Sequence, residues 1–168
     1  MKTKLLLIFL FLIVLIADQV TKLYVVNTIP LYGHIRVLSF LNISHIENAG
    51  IAFGLLSEFK NLPLQTLLII IYIVIIALLI YFFIKDYHRK IAKYGYILII
   101  AGAIGNLIDR IRIGRVIDFI DFHLKDWHYP SFNIADSSIT IGIIVILLDF
   151  IINKEGKYEK TQHQKSPS

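Results

Sequence analysis

Two short stretches of this chain carry aspartates where aspartates are costly. GRVID ends on Asp118, and FNIADSS puts Asp136 just ahead of ITIGIIVILLDFII, a run apolar enough to enter a bilayer. Two carboxylates held close together resist double ionisation, so such a pair can share one proton. Its charged member then acts as general base on a water while the protonated partner polarises a carbonyl. That is metal-free and cofactor-free hydrolysis, as in aspartic proteases. Other catalytic signatures are missing: the sequence has no H-E-x-x-H, no G-x-S-x-G and no P-loop. Its six histidines show no ligand spacing, and with no cysteine there is no thiolate chemistry and no disulfide.

The elements that would position these aspartates are membrane spans. Of 168 residues 57% are hydrophobic, and the mean hydropathy is +0.71. A soluble domain of this length has too little interior to bury that much apolar surface. The net charge of +5 and pI near 9.4 do not point to nucleic acid, because the basic residues flank hydrophobic runs. They point to membrane topology and anionic lipid headgroups.

Four apolar runs, at about 5–26, 64–84, 91–108 and 134–152, predict four transmembrane helices in a single domain over 1–152, with a disordered cytoplasmic tail from 153 to 168. The first run is expected to be a retained span, since LIADQV lacks a signal-peptidase A-x-A site. Lys2 and Lys4, the KDYHRKIAK loop and the lysine-bearing tail put both termini in the cytoplasm. Between the first two spans, HIRVLSFLNISHI alternates polar and apolar residues and predicts one or two short strands at 35–46 on the outer side.

Polar residues within or beside spans fall in four clusters: Asp18 to Lys22, Asn48 to Gly54, Gly105 to Arg110 with Gly114 to Phe119, and Asn133 to Ser138. With the orientation above, all four lie at the outer membrane boundary, and scattered polar substitutions would not share one depth. Each cluster also has a structural reading by itself. Asp18 and Lys22 are spaced as an i,i+4 ion pair, and Asn48 with its glycines suits a turn. Asp109 and Arg110 could close the third helix. Asn133, Asp136 and the serines could cap the fourth. The acidic residues Glu47, Glu58, Asp86, Asp121, Asp126, Asp149, Glu155 and Glu159 read as solvated or interfacial charges.

DQVTK, ENAGIAFG, GNLIDRIRIGRVIDF and FNIADSSITIG, in this order between four spans, resemble the lipoprotein signal peptidases (signal peptidase II). The resemblance covers nearly the whole chain. It implies an integral membrane, all-α fold of four transmembrane helices with a small extracytoplasmic β-cradle. It also implies a multi-pass enzyme of the bacterial cytoplasmic (inner) membrane, active near the outer leaflet, needing no metal and sensitive to globomycin-type inhibitors. Its substrates would be prolipoproteins carrying a diacylglyceryl cysteine, cut just before that cysteine. By motif match, the catalytic pair falls on Asp118 and Asp136. Supporting or substrate-binding positions fall on Asp18, Lys22, Asn48, Gly54, Asn106, Asp109, Arg110, Asn133 and Ala135. The family often has alanine where Ile51 stands and a basic or polar residue where Glu47 stands. Membrane lipids are the other expected partners, with no nucleic acid, and a site formed within one chain suggests a monomer.

Two other classes were weighed. A small proton- or ion-translocating subunit also uses intramembrane carboxylates, but these charges gather at one boundary and form no file across the membrane. A structural subunit glued by small residues such as Ala101 and Gly105 would not bring four clusters to one depth.

Overall fold

The structure, a computed structural model, describes the backbone of residues 1–50 and 62–163 and the side chains of 1–50 and 65–153. Four helices and a small sheet follow in the order α1 (Lys2–Thr28), β1 (His34–Leu38), β2 (Leu41–Asn48), α2 (Leu62–Lys85), α3 (Ala92–Ile113), β3 (Val116–Leu124), β4 (Trp127–His128) and α4 (Ile134–His163). The chain is mostly helical with a small antiparallel sheet. Among the described residues three stretches, Lys2–Thr28, Gln65–Lys85 and Ile134–Asn153, are long and apolar enough to cross a membrane. At 1.5 Å per residue the 27 residues of α1 reach about 40 Å, more than the ~30 Å hydrocarbon core.

The distribution of side chains is that of a protein solvated by lipid. Large apolar residues lie on the outside, among them Phe9, Ile13, Ile70, Ile73, Ile144 and Leu148. The buried positions of α1 are Leu7, Asp18, Lys22 and Val25, a stripe at helical spacing that turns two charges inward. α3 is the centre of the bundle and packs against α1, α2 and α4.

The helix crossing of α3 and α4 depends on glycine. A Cβ on Gly95 would lie 2.7 Å from the carbonyl oxygen of Gly142, and one on Gly142 would lie 2.6 Å from that of Gly95. Small residues at such a seam let two backbones approach closely where lipid supplies no hydrophobic drive between helices.

All four strands pair antiparallel in sequence order. The alternation over 35–46 corresponds to β1 and β2, and the sequence reading missed β3 and β4. β3 was legible in principle, since VIDFIDFHL is rich in β-branched and aromatic residues. Pairing of β2 with β3 sets Ile46 opposite Asp118 and Asn48 opposite Val116. Asn48 and Asp118 are thereby diagonal neighbours on one face of the sheet. The sheet is fixed to the bundle by a small core of Val25, Ile29, Ile117 and Phe119, against which Ile43, Ile120 and Ile134 pack.

Helix ends differ from the expectation in two places. α3 runs on to Ile113, so Asp109 and Arg110 belong to its last turns and are buried at 1% and 4% exposure. They do not form a surface pair: the helix continues because their polar groups find partners inside. α4 continues to His163 where a disordered tail was expected from 153, because Lys, Glu and Gln are good helix formers and extend a helix already nucleated in the span.

Candidate active site

The site is built at one end of the bundle, where the C-terminal parts of α1 and α3 meet the start of α4 and the first residues of β3. The sheet delivers Asp118, and the first turn of α4 delivers Asp136. Asn133 joins them. Its side-chain Nδ2 donates to Asp118 Oδ1 at 2.8 Å, and its backbone N–H donates to Asp136 Oδ2 at 3.2 Å. The backbone N–H of Asp136 in turn donates to Asn133 Oδ1 at 2.8 Å. That exchange is a capping pair on α4. The capping reading of Asp136 and the reading that puts it beside Asp118 therefore both describe the same residue.

A second asparagine holds the far oxygen of each carboxylate. Asn106 Nδ2 donates to Asp136 Oδ1 at 2.8 Å, and Asn48 Nδ2 donates to Asp118 Oδ2 at 3.1 Å. Asn48 also makes the turn the sequence suggests, its Oδ1 accepting from the N–H of Gly50 at 3.0 Å. Asp118 is 3% exposed. Its carboxyl is pushed up to about 7, first by burial and then by the charge of Asp136, against the hydrogen bonds from Asn48 and Asn133 and the charge of Lys22.

Beneath the pair lies a buried ionic knot. Lys22 Nζ contacts Asp18 Oδ2 and Asp109 Oδ2 at 2.8 Å each and donates to Asn106 Oδ1 at 3.0 Å. All three ammonium donors are thus used, the condition under which a buried charge is tolerated. Asp18 reaches on to α4, its Oδ1 accepting from the N–H of Ala135 at 2.9 Å. Asp109 Oδ2 accepts from the N–H of Ile117 at 3.3 Å, tying α3 to the strand that carries Asp118. Gly105 leaves room for this knot, since a Cβ there would lie 2.6 Å from Asp18 Oδ2. Ala135, fully buried, would sit 3.4 Å from that same Cβ.

Arg110 plays a different part from its neighbours. Its Nη2 donates to the carbonyl of Gly50, and its guanidinium lies 5.4 Å from the ring centroid of Tyr72. It clamps the turn that carries Asn48, not the acid pair itself. Of the other two arginines, Arg115 pairs with Glu47 at 2.6 Å, and Arg112 is exposed.

Ten of the eleven singled-out residues, Asp18, Lys22, Asn48, Asn106, Asp109, Arg110, Asn133, Ala135, Asp118 and Asp136, meet in this one region through these contacts. Gly54, like Ile51, lies outside the described residues. Two further residues belong to the network. Gln19 Nε2 donates to Asp18 Oδ2 and the Gly105 carbonyl at 3.1 Å each, and Gln65 Nε2 donates to the Ala49 carbonyl at 2.9 Å. Gln19 stands inside the DQVTK motif, but only its position on the inward face marks it. Among the described residues no group of three acidic or histidine side chains is arranged to hold a metal ion.

Four of the expected solvated acids are engaged, among them Asp86, which accepts from the Tyr96 hydroxyl at 2.9 Å. Glu47 is the partner of Arg115. Asp121 accepts from Asn42 at 3.0 Å and contacts His128 Nδ1 at 2.8 Å. Asp149 is 1% exposed and pairs with Arg89 at 2.7 Å, because α4 turns it back onto the α2–α3 connection and away from lipid.

The family model for signal peptidase (SPase) II matches residues 10–152. A lipoprotein signal peptidase of Thermodesulfovibrio yellowstonii is 46% identical over 135 residues, covering 80% of this chain and 87% of that protein. One from Staphylococcus aureus strain JH9 is 42% identical over 149 residues, 88% of each chain. Among solved structures, a bacterial membrane enzyme determined by the in meso method superposes with a TM-score of 0.80 at 40% identity, covering 90% of both chains. The family match spans residues 10–152, which include every residue placed in the site, and the chain belongs to the signal peptidase II family.

Proposed function

We propose that this protein is a membrane-embedded aspartic endopeptidase that removes the signal peptide from diacylglyceryl-modified prolipoproteins, cleaving before the lipidated cysteine. The observation that carries the reading is Asn133, which hydrogen-bonds Asp118 with its side chain and Asp136 with its backbone and so brings two carboxylates into one network.

The pair holds one proton between its members, and Asp118, pushed up to about 7, is the natural carrier. Asp136 then takes a proton from water as the water oxygen attacks the scissile carbonyl carbon. Asp118 donates its proton to the carbonyl oxygen, giving a neutral gem-diol. In collapse, the newly protonated Asp136 gives its proton to the leaving amine of the cysteine, the C–N bond breaks, and Asp118 recovers a proton from the gem-diol hydroxyl. Asn48, Asn106 and Asn133 hold the two carboxylates in register through these transfers.

In the bilayer, α3 is the fourth span: its 22 residues measure about 33 Å and it is enclosed by the three apolar helices. Lys2, Lys4 and the basic α2–α3 connection put both termini in the cytoplasm, and the acid pair near the outer leaflet, where a lipidated substrate lies. The enzyme is taken to work as a monomer, since ten of the eleven singled-out residues can meet within a single chain. Proton translocation is not favoured. The charged clusters sit at opposite ends of the bundle, with apolar residues such as Ile99, Ile100 and Ala103 between them.

Asp118→Asn and Asp136→Asn, each tested separately, are expected to abolish the gel-mobility shift of a diacylglyceryl-modified prolipoprotein, while EDTA leaves wild-type turnover intact. Wild-type processing rates in either variant would remove the pair from the mechanism.

A further inference from the structure

The end of the bundle away from the acid pair contains a feature that peptide hydrolysis does not use. α1 and α2 both pack on α3 but have no extensive packing on each other among the described residues. The cleft left between them has a volume of about 560 Å³, and its lining includes Lys4, Ile8, Phe11, Phe83, Tyr87 and Ile97. Apart from Lys4 and the Tyr87 hydroxyl, every side chain lining it is apolar. A cleft of this kind stays dry in a bilayer and fills with hydrocarbon.

Its length selects the occupant. From Lys4 to Phe11 the helix rises about 10 Å, which is much of the ~15 Å of hydrocarbon in a single leaflet. One acyl chain of that leaflet fits. A helix crossing the whole membrane would need the cleft to continue past Leu12 towards the site.

Its mouth selects the headgroup. Lys4 lies at the end nearest the membrane surface. Lys93 Nζ is held 5.7 Å from the ring centroids of Tyr87, one of the lining residues, and Tyr94. The nearest acid on this connection, Asp86, is already engaged by Tyr96 at 2.9 Å and by Arg89 at 3.8 Å. Among the described residues no carboxylate lines the cleft. Lys4 in the lining of an acyl-sized cleft, with Lys93 against the lining Tyr87, matches an anionic phosphate ester.

We propose that the α1–α2 cleft is a binding site for one anionic glycerophospholipid of the leaflet opposite the acid pair, its acyl chain along Ile8 and Phe11 and its phosphate between Lys4 and Lys93. The inference rests on the membrane-spanning reading above and not on the peptidase assignment.

The test is retention, read without turnover. The full chain is placed in nanodiscs of equimolar phosphatidylglycerol and phosphatidylcholine, extracted in mild detergent, and its bound lipid counted by native mass spectrometry. The wild type is expected to keep one phosphatidylglycerol per chain in preference to phosphatidylcholine. Lys4→Gln with Lys93→Gln is expected to reduce that preference roughly tenfold while prolipoprotein cleavage in detergent stays at the wild-type rate. Ile8→Trp, which narrows the cleft where the acyl chain would lie, is expected to lower retention of both lipids. Equal retention of the two lipids by the wild type, or an unchanged preference in the double variant, overturns the proposal. So does an Ile8→Trp protein that retains lipid normally but binds prolipoprotein more weakly, which would assign the cleft to the signal helix.

Discussion

Asn133 and Asp136 cap one another: the backbone N–H of each donates to the side chain of the other, at 3.2 Å and 2.8 Å. This exchange fixes the Asp136 carboxylate at the first turn of α4 and leaves the Asn133 side-chain amide free to reach Asp118 at 2.8 Å. A local device of helix formation thus sets the geometry of a pair whose members are 18 residues apart in the chain.

Asn133→Ala removes the side-chain hydrogen bonds to Asp118, Asn106, the Ile117 carbonyl and the Asp136 N–H, and keeps the backbone bond to Asp136. The lost cap costs about 1 kcal/mol and each of the three other lost bonds of this buried amide about as much again, so Tm is expected to fall as well. Loss of positioning is expected to lower kcat roughly 10- to 100-fold with KM little changed. Because the Asn133 amide favours the ionised form of Asp118, its removal should move the ionisation read in the pH–rate profile to higher pH. A profile of unchanged shape with only a uniform loss would reduce Asn133 to a structural role.

Stability should carry the mark of Asp118. Its carboxyl titrates near 7 in the folded chain against 3.8 ordinarily. Between those values the folded state holds a proton that the unfolded state has lost, so stability falls as pH rises. Below about 4 and above about 7 the slope vanishes. The total change is on the order of 4 kcal/mol. Thermal unfolding in detergent is expected to show Tm declining from pH 4 to 7 in the wild type, with most of that slope absent in Asp118→Asn.

Lys22→Met tests the ionic knot. The change leaves Asp18 and Asp109, each about 1% exposed, facing one another without their cation. Removing one member of a buried ion group costs about 3–5 kcal/mol, which for a chain of this size is on the order of 10 °C in Tm. Adding Asp18→Asn and Asp109→Asn should restore a substantial part of the loss, since the uncompensated charges go too. A single variant as stable as the wild type would show that Lys22 does not carry the knot.

Much of this was legible in the sequence, for a physical reason. Lipid makes every intramembrane polar group expensive, so Asp18, Lys22, Asn106 and Asp109 stood out individually against apolar runs. Their convergence followed from the shared depth. What sequence could not supply was partnership. Asp149 read as a solvated charge because nothing local says that α4 turns it onto Arg89. The last turns of α3 read as loop because Asp109 and Arg110 look like a helix end until their partners, Lys22 and the Gly50 carbonyl, are known. β3 was hidden for another reason: Asp118 and Asp121 interrupt its apolar pattern, and both are there to be hydrogen-bonded and not to face water.

Gly142→Ala probes how far the site depends on packing distant from it. Gly142 lies nearly two helical turns beyond Asp136 and touches no catalytic group, but a methyl there would meet the Gly95 carbonyl oxygen and Ile99 Cγ1 at 2.6 Å each. One of these is backbone, so the strain cannot be relieved by a rotamer change and α3 and α4 must separate. Overpacking of this kind costs about 1–3 kcal/mol. Asn106 rides on α3 while Asn133 and Asp136 ride on α4, so separation stretches the 2.8 Å bond from Asn106 to Asp136. The variant is therefore expected to lose several degrees in Tm and to fall in kcat, with the two losses appearing together. A fall in Tm with full activity would show that the site is held by the Lys22 knot alone, independent of the helix crossing.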